Sequence, residues 1–124
     1  MEIHVEAPVT ATEDPDRVAQ AIHTVFPDAA LSISDERVTG EAQTLDVLKE
    51  LLARYQILDT ARMLLHRRID NGRLCFRLNK QAAYAGAVNF SEVRHPLGDI
   101  TVTITGSDLS GLVDWLTETD GEKE

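Results

Sequence analysis

Residues 66–90 read HRRIDNGRLCFRLNKQAAYAGAVNF, and the reading of this stretch decides which fold the chain can adopt. Its pivot is Asp70-Asn71-Gly72. Asn-Gly accepts the positive backbone φ angles of a tight hairpin turn, so strands are expected on both sides. After the turn, Leu74, Phe76 and Leu78 alternate with Arg73, Cys75, Arg77 and Asn79. A strand therefore carries its apolar side chains on one face and presents Arg73 and Arg77 together on the other. Residues 80–85 (KQAAYA) have high helix propensity and stop at Gly86, which predicts a short helix; Asn79 either contacts phosphate at its start or simply caps it. Val88 and Phe90 then alternate with Asn89 and Ser91, the pattern of another strand.

Working outward from this stretch, Leu58, Ala61 and Leu65 share one face of a helix that precedes the hairpin, and Asp59, Arg62 and His66 share another. Before it, Thr44 can cap a helix whose apolar stripe is Leu45, Leu48, Leu51, Leu52 and Tyr55. Nearer the N-terminus, Ile3, Val5 and Ala7 alternate with Glu2, His4 and Glu6 as in a half-buried strand. Asp14-Pro15 opens a helix carrying Val18, Ile22, Val25 and Phe26, closed by Pro27-Asp28. Residues 30–34 and 37–41 form a hairpin across Ser34-Asp35-Glu36. Downstream, 92–99 is a loop with Pro96 and Gly98, and Ile100, Val102 and Ile104 alternate with Thr101, Thr103 and Thr105 in the clearest strand of the chain. Asp108 caps a last helix with Leu109, Leu112, Val113 and Leu116 inward, and an acidic tail from Gly121 is expected to fray.

Half-buried strands mixed with a few amphipathic helices predict an α+β fold: a mostly antiparallel sheet with helices packed on one face, a two-layer sandwich. The other sheet face is left open to solvent. The chain of 124 residues is expected to form one domain over 1–120. Its composition, 43% hydrophobic and 27% charged, is that of a globular protein. No apolar run is long enough to span a bilayer, MEIHVEAPV has no basic n-region or long apolar h-region, and the lone Cys75 excludes an internal disulfide, so a cytoplasmic protein is expected.

Chemistry-bearing patterns are sparse. His4, His23, His66 and His95 have no ligand spacing, CxxC and HExxH are absent, and Cys75 on a strand is expected to be a packing residue. Phosphate-binding glycine loops and the hydrolase nucleophile elbow are absent as well. No metal, no cofactor and no catalytic residue is assigned.

What stands out is charge. Residues 54–80 hold seven basic side chains against Asp59 and Asp70, a local +5 within a chain of net −9. Such segregation is the footprint of a polyanion partner when the charges share a face, and of internal ion pairing when they do not. Arg73 and Arg77 share a strand face, and Arg67 and Arg68 lie just across the turn from them. Lys80 and Gln81 start a helix whose free N–H groups favour a phosphate oxygen. Tyr84 offers either a ring for stacking on a base or a core side chain with its hydroxyl at the rim. Trp115 lies at the edge of an apolar stripe and suits a subunit contact. The expected RNA-binding set is Arg62, Arg67, Arg68, Arg73, Arg77, Asn79, Lys80, Gln81 and Tyr84, acting mainly on phosphates.

ILDTAR at 57–62 and FRLNKQAAYAGAVNF at 76–90 resemble a small family of uncharacterised archaeal proteins described as predicted RNA-binding proteins and candidate exosome subunits. The likeness extends to APV and TEDP near the start, FPDA after the first helix, PLG before the late strand and Asp-Trp-Leu near the end. It implies a fold similar to that of the ribosomal protein that binds 5S ribosomal RNA, a homodimer, and a role in an RNA-processing complex. On the matching positions, Asp59, Thr60 and Arg62 with Asn79, Lys80 and Gln81 are the family's signature polar residues. One departure is Asp99 after PLG, where an apolar residue or proline is more usual. Two rivals to RNA binding are an adaptor whose basic face docks an acidic protein through Trp115 or Tyr84, and an enzyme holding a small anion with Asn79, Lys80 and Arg62 in a deep pocket.

Overall fold

The computed structural model describes residues 1–91 and 98–118. Six strands and five helices follow one another as β1 Glu2–Pro8, α1 Pro15–Val25, β2 Ala30–Ile33, β3 Arg37–Ala42, α2 Asp46–Arg54, α3 Leu58–Arg67, β4 Ile69–Asp70, β5 Arg73–Asn79, α4 Lys80–Tyr84, β6 Asp99–Thr105 and α5 Leu109–Leu116. All six strands join one antiparallel sheet in the order β2-β3-β1-β6-β5-β4. The alternation of β1, β5 and β6 sends Ile3, Val5, Leu74, Phe76, Leu78, Ile100, Val102 and Ile104 into a core shared with the helices. The fold is the expected two-layer α+β sandwich.

Local signals explain most boundaries. Asn71 and Gly72 have φ of 54° and 74°, so the two-residue loop turns the right way for the Ile69↔Leu74 pairing. Ser34 closes the first hairpin, its hydroxyl donating to the Arg37 carbonyl and accepting from the Glu36 and Arg37 amides. Asp14, Asn79 and Asp108 each accept a backbone N–H from the first turn of α1, α4 and α5. Gly86, at φ 83°, ends the α4 segment in the left-handed region. Gly40 in β3 leaves room for the Ala30 carbonyl of β2, which a Cβ would strike.

Several expectations are corrected. Thr44 does not cap α2: Leu45 is the N-cap, with no side-chain bond. Tyr55 leaves the apolar stripe; it is the C-cap of α2, exposed, with its hydroxyl 3.4 Å from the Gly86 carbonyl. Val88 and Phe90 form no strand. Phe90 makes a single bridge to Leu78 and is held by an edge-to-face contact with Phe76 at 5.8 Å, worth about 1 kcal/mol beyond its burial. Asp99 belongs to β6 rather than to the preceding loop. Most of that loop and the acidic tail lie outside the described residues. No described helix is long and apolar enough to cross a membrane.

Candidate nucleic-acid interface

The open sheet face is built by the outward halves of β5, β6, β1 and β3. Register pairs Arg77 with Thr101 and Thr101 with Glu6, then Cys75 with Thr103 and Thr103 with His4, then Arg73 with Thr105 and Thr105 with Glu2. The face is therefore striped, running from arginines on β5 through a threonine ladder on β6 to an acidic row on β1. Cys75 is not a packing residue; it is exposed on this face, 3.8 Å from the Thr103 hydroxyl. The centre of the acidic row is His4, whose ring lies 2.8 Å from Glu41 and 3.3 Å from Glu6. The hydrogen bond to Glu41 raises the His4 pKa above 6.5; burial opposes the rise and Glu6 adds to it. Arg37 joins the row 3.7 Å from Glu6. Alternation in the first strand placed Glu2, His4 and Glu6 on one face, but the pairing of His4 with Glu41 depends on a strand register that the residues alone do not display.

The nine expected RNA contacts do not stay together. Lys80 is buried, and its ammonium lies 2.7 Å from the Pro8 carbonyl and 3.0 Å from the Glu13 carboxylate. Lys80, expected among the RNA contacts, thus points inward as the first residue of α4, bonded to the end of β1 and to the residue before the α1 cap. Glu13 also accepts from the Thr10 amide and hydroxyl and from the Tyr84 hydroxyl. Burial works against its charge, but the Thr10 amide and Lys80 outweigh that effect and hold the carboxyl below its usual range. Tyr84 is half-buried with Arg17 over its ring at 5.8 Å, and burial, with the nearby Glu13 charge second, pushes its phenol up to about 12. Its ring is not presented for base stacking. Glu13 is the partner that sequence reasoning missed, because 67 residues separate it from Lys80.

Other members are also occupied. Arg62 donates to the Thr117 hydroxyl at 3.1 Å and to the Thr117 carbonyl at 3.2 Å, securing the end of α5. Asn79 caps α4 through the Ala82 amide. Arg77 is half-buried, 3.7 Å from Asp99, whose other oxygen accepts from Ser91 at 2.8 Å. Gln81 is exposed in a cleft of about 430 Å³ lined by Thr12, Glu13, Asp14, Arg17 and Tyr84. A second groove, about 470 Å³, runs beside Trp115, whose ring carries Lys49 at 5.1 Å.

Three arginines remain available. Arg67 in the last turn of α3, Arg68 as its C-cap and Arg73 just after the turn are exposed and form no ion pair among the described residues. Only Ile69 and Asp70 pair with β5, so Arg67 and Arg68 reach the β4 edge of the sheet rather than its face. Asp70, opposite Arg73, is the one acid among them. The described residues contain no cluster of three or more His, Cys, Asp or Glu side chains able to hold a metal ion.

Comparison with known proteins adds the context. A family model described as RNA binding matches residues 2–106. A UPF0201 protein of Methanothermobacter thermautotrophicus is 42% identical over 117 residues, covering 92% of this chain and 89% of its own length. One from Thermococcus onnurineus is 39% identical, covering 93% and 90%. The crystal structure of a UPF0201 protein from Methanococcus jannaschii superposes with a TM-score of 0.87 at 35% identity, covering 98% of this chain and 96% of that one. Matched by the family model over most of its length and by these relatives nearly end to end, the chain belongs to the archaeal UPF0201 family, whose model is described as RNA binding.

Proposed function

We propose that the protein is a non-catalytic RNA-binding domain that grips phosphates through the basic edge formed by Arg67, Arg68 and Arg73. The observation that carries this reading is the set of three exposed arginines, unpaired among the described residues, at one sheet edge of a chain of net charge −9. In so acidic a protein, arginines left without carboxylate partners create a local attractive field for an anion. The family description agrees with it. Work in RNA processing or on the ribosome, a homodimeric state and a cytoplasmic setting belong to the same reading and rest on the family resemblance and the composition.

The rivals find less support. An adaptor needs Trp115 or Tyr84 beside the basic edge, but Trp115 lies in the α2–α5 groove and Tyr84 bonds Glu13. A small-anion enzyme needs Asn79, Lys80 and Arg62 to converge, but each is held by a different partner.

The test is RNA binding at about 50 and 200 mM salt by the wild type and by Arg67→Glu/Arg68→Glu/Arg73→Glu. Three phosphate contacts release counterions with a log–log slope of about −2 to −3. The variant should lose the slope together with the affinity. Binding that ignores salt, or that survives the triple reversal, would overturn the proposal, and a folded wild type that binds an acidic protein and no RNA would favour the adaptor.

A further inference from the structure

The striped face says more about the kind of RNA, provided that the RNA-binding reading above holds. All six aromatic side chains of the protein are accounted for, and none stands on the open sheet face. Phe26 and Phe76 are buried, and Phe90 packs edge-to-face on Phe76. Tyr84 bonds Glu13, while Tyr55 and Trp115 belong to the helical layer. Proteins that take hold of single strands stack splayed bases on aromatic rings. Among the described residues this face offers no Phe, Tyr or Trp, and its one ring, His4, is held between Glu41 and Glu6, whose charges repel a phosphate backbone; the clefts beside Gln81 and Trp115 are lined by helix residues, the segment before α1 and Glu118 after α5.

What the face does offer is a ladder of hydroxyls beside arginines. Thr101, Thr103 and Thr105 are half-exposed, and those of Thr101 and Thr105 make no side-chain hydrogen bond among the described residues. Thr105 lies opposite Arg73 and Thr101 opposite Arg77, so a hydroxyl sits about 5 Å from each arginine stem. A hydroxyl both donates to and accepts from a ribose 2′-OH, whereas a guanidinium only donates and suits phosphate. A-form duplexes display their 2′-hydroxyls across a wide, shallow minor groove flanked by phosphates. Beyond the ladder the acidic row repels phosphate at about 10 Å from the arginines, two strand spacings away, and confines the duplex to the β5–β4 side.

We infer that the RNA bound here is base-paired, held by phosphates on Arg67, Arg68 and Arg73 and by 2′-hydroxyls on the threonine ladder of β6, with little regard to sequence. The experiment compares an RNA duplex of about 20 base pairs, longer than the roughly 16 that one double-stranded-RNA domain spans, with its single strand and with a DNA duplex of the same sequence. The RNA duplex should bind about tenfold tighter than the single strand, and with a steeper salt slope, about −0.9 against −0.7 per phosphate. Thr101→Val/Thr103→Val/Thr105→Val keeps the strand shape and should erase the preference for RNA over DNA duplex while sparing DNA affinity. Thermal melting confirms that this variant is folded; should it not be, Thr101→Ser/Thr105→Ser, which keeps the hydroxyls, and Thr101→Val alone are compared instead. A single strand bound as tightly as the duplex, still lost on reversal of Arg67, Arg68 and Arg73, overturns the duplex inference and leaves RNA binding standing. Equal binding of RNA and DNA duplexes by the wild type overturns the role of the ladder. No binding of any RNA at low salt overturns both readings.

Discussion

Replacing Glu13 by glutamine keeps the shape of the side chain and removes its charge, which isolates what the Lys80–Glu13 pair does. Lys80 is 1% exposed, and the Glu13 side chain 8%. Its ammonium would keep the Pro8 carbonyl 2.7 Å away but lose the anion 3.0 Å away. Breaking a buried pair from one side costs about 3–5 kcal/mol, because the remaining charge stays desolvated. For 124 residues the unfolding entropy near 60 °C is about 260 cal/mol/K, so 1 kcal/mol moves Tm by about 4 °C. Thermal unfolding followed by circular dichroism should therefore show Glu13→Gln melting about 12–19 °C below the wild type. Adding Lys80→Met removes the buried ammonium as well and should recover at least half of that loss. A drop under about 4 °C would refute the account of this pair as a buried anchor. In RNA binding, Lys80→Met should leave the salt slope unchanged; a slope reduced by about one would return Lys80 to the RNA surface.

Asp70 faces Arg73 across the hairpin, so Asp70→Asn removes a repulsion of about 0.8 kcal/mol from a phosphate roughly 5–6 Å away in water. RNA affinity, measured by filter binding or fluorescence anisotropy, should rise about three- to fourfold. Gln56 joins α2 to α3 at φ 57°, a conformation that costs a side chain about 1 kcal/mol, so Gln56→Gly should raise Tm by about 4 °C. Two groups set the pH limits of stability. The Glu13 carboxyl is lower in the folded than in the unfolded chain, so its contribution is present above pH 4.5 and is lost as pH falls through the folded value. The Tyr84 phenol is raised from 10.0 to about 12, so its contribution is full below pH 10 and is lost as pH rises toward 12. Urea midpoints across pH should decline at both ends, and Tyr84→Phe should flatten the alkaline decline.

The elements whose cause is local were legible in the sequence. The Asn71-Gly72 turn, the alternation of β5 and β6 and the Asp14, Asn79 and Asp108 caps depend on neighbours in the chain, and each stands as expected. Thr44 failed as a cap because the helix begins one residue later than its side chain can serve. Phe90 stands only as a bridge to Leu78, flanked by the Asn79 amide to the Asn89 carbonyl and the Ser91 amide to the Arg77 carbonyl, and the chain beyond Ser91 lies outside the described residues. The candidate site was legible as a charge excess but not as a surface. Arg62, Arg77 and Lys80 have the same charge as Arg67, Arg68 and Arg73, and what separates the two groups is the set of partners at Thr117, Asp99 and Glu13. Those partners lie 22 to 67 residues away, where no periodicity reaches: Asp99 is the nearest and Glu13 the farthest.

The place of β1 has a consequence for how the molecule comes into being. This strand sits between β3 and β6, with Ile3 opposite both Ala42 and Ile104. One of its two neighbours follows it within about forty residues, and the other is made roughly a hundred residues later. At about 5–20 residues per second, a ribosome leaves one side of β1 without its strand for about 5–20 seconds. Such long-range closure slows folding and leaves an unpaired edge exposed meanwhile. The charged face of Glu2, His4 and Glu6 travels with that edge until β6 arrives. Residues that border the candidate RNA surface in the finished protein thus guard the newborn chain against pairing with its neighbours.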